Sequence, residues 1–171
     1  MLEIIPVCVK GDIVQGDDLV EKFSSSFNDL HDKDIIIIAQ KIISKQEGKI
    51  IELAKVIPST LSLGIAAQYN KDPKLVEVIL SEAKRIVRLE SGIIITETHH
   101  GFVCANSGVD ESNLPTGFAS MLPENPDLSA SEFAKKISTK SGKKVAVIIS
   151  DTFGRPFREG QTNVAIGVSG I

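Results

Sequence analysis

A chain of 171 residues can bury the core of one domain, and 42% hydrophobic with 24% charged residues is the balance of an ordinary globular protein. A formal net charge of −3 and a pI near 5.6 leave no dominant basic stripe, which argues against broad nucleic-acid binding. No apolar run is long enough to span a membrane, and the start lacks the basic segment and long apolar stretch of a secretory signal, so a cytoplasmic protein without membrane contact is expected. Cys8 and Cys104 form no CxxC pair and read as reduced core thiols rather than zinc ligands.

In chain order, Leu2 to Val9 reads as a first strand with Pro6 at an edge or bulge, and Lys10-Gly11-Asp12 as a loop. Asp17 and Asp18 open a predicted helix through about Leu30, with Leu19, Val20, Phe23, Phe27 and Leu30 at helical spacing. After the polar turn His31–Asp34, the run Ile35 to Ile38 predicts a strand buried on both faces. Lys41, Lys45 and Lys49 follow at four-residue intervals and would share one face of a helix. That face is either an anion site or simply solvated.

Pro58-Ser59 starts a helical stretch to about Gln68. A longer helix is predicted from Pro73 to Glu90, where Leu75, Val76, Ile79, Leu80, Ala83, Ile86, Val87 and Leu89 trace an apolar face that Gly92 closes. Ile93–Thr98 and Gly101–Ala105 read as a hairpin turning at His99-His100-Gly101, a tip facing solvent or a substrate edge. The segment from Asn106 to Asn113 is dense in oxygen donors, with Asp110 a candidate cation ligand and Asn113 a candidate polar contact. Residues from Pro115 to Pro126 read as a loop, and Ser129 with Glu132 as the capping box of a helix to about Lys140.

Val145 to Ile149 predicts a buried strand that delivers Ser150, Asp151 and Thr152 to its end, with Arg155 and Arg158 close behind and a second strand at Val164–Val168. A carboxylate and a hydroxyl beside two guanidinium groups suit a hard cation and an anionic oxygen, so phosphate chemistry is indicated. The plainer reading is a turn or a helix cap. No GxxxxGK[ST], GxGxxG, GxSxG or HExxH motif occurs, so phosphate handling would fall to separated aspartates, lysines and arginines.

Four segments together resemble one family: Gln40 to Gly48, Glu97 to Asn113, Leu122-Pro123 with Pro126-Asp127, and Ser150 to Gly170. They occur in family order, and the chain is similar to coenzyme F420:L-glutamate ligases, also called F420-0:gamma-glutamyl ligases. The resemblance implies an α+β fold with a mixed sheet and packed helices, one domain over residues 1–171, and a homodimer. It implies GTP-dependent amide ligation: GTP phosphorylates the terminal carboxylate of the deazaflavin precursor F420-0, and the amine of L-glutamate attacks the acyl phosphate.

Carried over residue by residue, Asp110, Asp151 and Thr152 match the family's divalent-metal ligands, for Mg²⁺ or Mn²⁺. Lys45 and Asn113 match nucleotide-contacting positions, Gln40 and Lys41 a variable nucleotide-contacting pair, and Lys10, Gly11, Asp12 and Ile13 the first nucleotide-contacting loop. Relatives often carry Leu-Pro or Ile-Pro in that loop where this chain has Lys10-Gly11. Arg155 and Arg158 are assigned, from their charge, to phosphate or a substrate carboxylate, beside Asp151 in the catalytic group. A monovalent cation such as K⁺ is also admitted.

Family members continue beyond the position of Ile171, so the chain is expected to be incomplete at its C-terminal side, lacking a further metal ligand and part of the guanine-nucleotide site. Two other functions stay open at this point. One is a non-catalytic module binding nucleotide or deazaflavin; the other is a metal-dependent phosphohydrolase using the same aspartates.

Overall fold

The computed structural model describes residues 2–153, 160 and 162–171, and has the mixed helix and strand content of an α+β fold. Two compact units are formed: Met1–Gly48, Asn125–Asp151 and Ala165–Ile171 make the first, Lys49–Glu124 and Thr152–Val164 the second.

The first unit is built on α1 (Leu19–Ser26), β1 (Ile35–Ala39), α2 (Gln40–Gln46), α5 (Pro126–Ser141), β7 (Ala146–Thr152) and β8 (Asn163–Ser169). Its sheet has the order β1-β7-β8, and β1 and β7 run parallel with Ile35 opposite Ala146 and Ala39 opposite Ser150. The side chain of Asp18 caps α1 by accepting from the N–H groups of Val20 and Glu21, a contribution of about 1 kcal/mol. The helix stops at Ser26, short of Leu30. Ser24 to Ser26 return their hydroxyls to the carbonyls of Val20 and Lys22, and Phe27 turns extended. Phe23 of α1 meets Phe133 of α5 edge-on at 6.1 Å, which locks the two helices together.

Asn125, not Ser129, caps α5: its side chain accepts from Leu128 N–H, and Pro126 takes the first helical position. Ser129 Oγ instead donates to the Glu47 carboxylate at 2.5 Å and lies 3.0 Å from the Asn125 carbonyl. Strand β1 buries one face rather than two. Ile36 and Ile38 are buried, while Ile35 and Ile37, on the opposite face, are 56% and 66% exposed. Leu2 to Val9 forms no strand; no described strand lies beside it, Pro6 offers no N–H, and Cys8 is exposed rather than in the core.

The second unit contains β2 (Ile50–Glu52), α3 (Thr60–Tyr69), α4 (Pro73–Ser81), β3 (Ala83–Glu90), β4 (Ile93–Thr98), β5 (Val103–Ala105) and β6 (Phe118–Ser120). Ser59 and Asp72 cap α3 and α4, and Pro73 takes the first position of α4. The predicted helix through Glu90 ends instead at Ser81. From Ala83 the chain turns back on itself as the antiparallel pair β3–β4, joined at Ser91 and Gly92, whose φ values of 51° and 77° fit a two-residue hairpin turn. Ile86 and Val87 are β-branched, and cross-strand pairing overrides the helical spacing they share with α4. The hairpin β4–β5 at His99–Gly101 is as expected.

The region from Pro115 to Pro126 is not only loop, since β6 within it pairs antiparallel with β2. Val76, Ile79 and Ile94 are no more than 1% exposed and centre the core of this unit, each worth about 2 kcal/mol of apolar burial.

Candidate functional site

The candidate residues fall in both units, and each group is set by its own local structure. In the first unit, the parallel register brings β1 and β7 to their carboxyl ends together. Ala39 lies opposite Ser150, so Gln40, which opens α2, and Asp151, the next residue of β7, follow at the same level. The carboxyl ends of parallel strands are where open α/β sheets place ligands. Gln40 is 4% exposed, and its amide donates to Ser44 Oγ at 2.6 Å, which fixes it at the start of the helix.

Lys41 and Lys45 lie one turn apart on α2 and are half-buried. The Lys45 ammonium pairs with no carboxylate among the described residues, the condition under which a lysine is available to an anion. Lys49 does not join them. Gly48 (φ 74°) ends the helical path, and Lys49 belongs to the second unit, where it binds Glu124 at 2.9 Å. That bond, aided by the Lys49 charge, holds the Glu124 carboxyl below its usual range.

The loop Lys10–Ile13 lies in the same unit as α2. Lys10, Gly11 and Asp12 are exposed, and the Asp12 carbonyl accepts from Lys22 Nζ at 3.3 Å. Asp17 organises the turn after this loop by accepting from Val14 N–H at 2.9 Å and pairing with Lys22; the Val14 bond is the main cause that lowers its pKa. Gly16 N–H then donates to the Gln46 carbonyl, tying the loop to the end of α2.

In the second unit Asp110 comes directly after a tight turn. Its carboxylate accepts from Ser112 N–H at 2.9 Å and Ser112 Oγ at 2.5 Å. Its backbone exchanges two hydrogen bonds with Ser120 of β6, so Asp110 continues the β2–β6 ladder as a third, one-residue strand. Asn113 is exposed three residues on, at φ 56°. Thr152 is exposed at the end of β7 and donates its hydroxyl to Asn163 Oδ1 at 2.6 Å. Arg155 and Arg158 lie outside the described residues.

The donor chemistry fits a hard divalent cation. The Thr152 hydroxyl spends its proton on Asn163, which leaves oxygen lone pairs on its exposed side. Successive strand residues point to opposite faces, so Asp151 and Thr152 present their side chains in different directions. Among the described residues no group of three or more His, Cys, Asp and Glu forms a metal cluster, and the expected set contains only two carboxylates.

The residues that build the turn before Asp110 were not marked out by sequence alone. Asn106, Ser107 and Gly108 have φ values of 53°, 54° and 73°, all left-handed. Each non-glycine residue there costs roughly 1–2 kcal/mol. Thr96 and Ser107, both fully buried, supply the compensation. The only sequence-level signal was the Asn-Ser-Gly triplet, since Asn and Gly tolerate this conformation best.

Residues 10–171 match the family described as F420-0:gamma-glutamyl ligase. The chain belongs to this family. It is 50% identical over 167 residues to the coenzyme F420:L-glutamate ligase of Methanocaldococcus jannaschii, covering 98% of this chain and 65% of that protein. Identity to the protein of the same name from Methanothermobacter thermautotrophicus is 50% over 160 residues, covering 91% and 64%. For the Methanopyrus kandleri protein it is 48% over 170 residues, covering 99% and 67%. The chain thus spans about two thirds of the length of these family members. No helix among the described residues is long and apolar enough to cross a membrane.

Proposed function

We propose that the protein carries out GTP-dependent ligation of L-glutamate to the terminal carboxylate of coenzyme F420-0, in the cytoplasm and as a homodimer. The observation that carries this reading is the 50% identity, over 98% of the chain, to a protein named coenzyme F420:L-glutamate ligase. A carboxylate is a poor acyl donor because its leaving group would be oxide. Attack of its oxygen on the γ-phosphorus of GTP expels GDP and gives an acyl phosphate. The glutamate amine then attacks the acyl carbon, phosphate leaves, and the amine loses a proton as the amide forms.

Each residue group has a part in that chemistry. Lys45, without a carboxylate partner among the described residues, and Lys41 one turn away suit the phosphate chain of the nucleotide. Gln40, Asn113 and the loop Lys10, Gly11, Asp12 and Ile13 complete the nucleotide contacts. Asp110, Asp151 and Thr152 would hold Mg²⁺ or Mn²⁺ through oxygen, with K⁺ as a further candidate ion. The divalent ion supplies neutralisation of the charge on the transferring phosphoryl group. Arg155 and Arg158 suit phosphate or the substrate carboxylate.

Product analysis tests the reading. Incubation with GTP, Mn²⁺, L-glutamate and F420-0 is expected to yield F420-0 extended by one glutamyl residue, seen by mass spectrometry. The Asp151→Asn variant is expected to form none while keeping the wild-type circular dichroism spectrum. Undiminished product from that variant would remove Asp151 from the mechanism.

A further inference from the structure

The geometry points to Ser107, held by Thr96, as a positioning residue for the Asp110 carboxylate; this rests on the reading of Asp110 as a metal ligand. Among the described residues, 106–108 is the only run of three consecutive left-handed residues, and two of the three carry a Cβ. Such a turn persists only where its surroundings over-determine it.

The surroundings here are a buried set of hydrogen bonds around the two hydroxyls. Ser107 Oγ donates to the Ile79 carbonyl of α4 at 2.7 Å. Its proton being spent there, the 2.8 Å contact between the two hydroxyls has Thr96 Oγ1 as donor and Ser107 Oγ as acceptor, a shorter contact than the 3.4 Å from Thr96 Oγ1 to the Cys104 carbonyl. Thr96 Oγ1 in turn accepts from Ser107 N–H at 3.0 Å. Each hydroxyl therefore gives one hydrogen bond and receives one, with no exposure to water at either residue. Replacing either hydroxyl by an apolar group strands a buried partner.

The turn decides which side of the chain Asp110 occupies. Val109 N–H closes on the Asn106 carbonyl at 2.8 Å, and the Val109 side chain is 7% exposed. Asp110, the next residue, therefore points outward while its backbone pairs with Ser120. In an extended segment a slip of one residue exchanges the two faces. Gly108 sets the same limit from the other side, since a Cβ there would come within 2.8 Å of the Leu122 side chain. Loss of the Thr96–Ser107 lock would let the Asp110 carboxylate leave its fixed direction without removing any metal ligand.

Binding of Mn²⁺ alone, followed by the paramagnetic resonance signal of the free ion, tests this in five proteins well below their melting temperatures. Thr96→Ser keeps the hydroxyl and is expected to bind Mn²⁺ as the wild type does. Thr96→Val and Ser107→Ala are expected to bind about tenfold more weakly or worse, the usual effect of losing a group that orients a ligand. Asp110→Asn is expected to be weaker still. If Ser107→Ala does not fold, the Thr96→Ser and Thr96→Val pair decides the matter. Folded Thr96→Val with wild-type affinity, alongside a weakened Asp110→Asn, would overturn the positioning role and leave Asp110 as a ligand. A wild-type protein that does not bind Mn²⁺, or an Asp110→Asn variant that binds it undiminished, would overturn both.

Discussion

The rings of Phe102 and Phe153 lie 5.7 Å apart between centroids, tilted by 59°, so the hairpin β4–β5 reaches the residue directly after Thr152. Phe102 also stacks on His100 at 5.8 Å. His100 Nε2 lies 2.9 Å from the Pro123 carbonyl and 3.1 Å from that of Glu124, so this nitrogen carries the proton and donates. Phe153 is 4% exposed. Phe153→Ala is expected to cost about 3 kcal/mol in urea unfolding, from lost apolar burial and a cavity. Phe153→Leu should cost much less, because most of the volume is retained. A Phe153→Ala variant that unfolds at the wild-type urea concentration would show that this contact contributes nothing to stability.

Two glycines give opposite expectations for the same change. A Cβ on Gly167 of β8 would fall 2.4 Å from the backbone of Pro126, at the start of α5. Gly167→Ala must push strand and helix apart, and should destabilise by about 2 kcal/mol. Gly64 sits inside α3 with nothing within 4 Å of its built Cβ. Gly64→Ala should stabilise by about 0.5–1 kcal/mol through helix propensity and a less flexible unfolded chain. Thermal melts of the two variants check both signs.

Glu77 of α4 ties two helices together. The carboxylate accepts from Ser59 N–H at 2.7 Å, at the cap of α3. Hydrogen bonds from Ser59, first from its side chain and then from its N–H, with a smaller one from Ser62, hold the Glu77 pKa below its ordinary 4.5. A pKa depressed on folding stabilises the protein above the unfolded value, and that stability is lost as pH falls through the folded value. Glu77→Gln should therefore be less stable than wild type at pH 7, with the gap closing as the pH falls below about 4.5. A gap that persists undiminished at low pH would show that charge is not what Glu77 contributes.

Local signals were legible in the sequence and distant ones were not. Asp18 and Ser59 cap helices within three residues of themselves, so their role could be read directly. The segment after Ser81 shows the opposite case. Ala83, Ile86, Val87 and Leu89 continue the apolar spacing of α4, and only pairing with Ile93–Thr98 makes them a strand. Gly92 reads as a helix end in the sequence, although Ser91 and Gly92 together suit a hairpin turn. At the candidate site, the start of α2 and the end of β7 were visible as motifs, while their common level comes from the β1–β7 register. Ser107 escaped notice because its partners lie 11 and 28 residues away.

GDP release is the most direct measure of the central claim. The protein would be supplied with GTP and Mn²⁺, with L-glutamate and F420-0 each present or omitted. Ligation predicts release only when both L-glutamate and F420-0 are present, in proportion to the amide formed. Release at the same rate without them would contradict it, and would identify a phosphohydrolase.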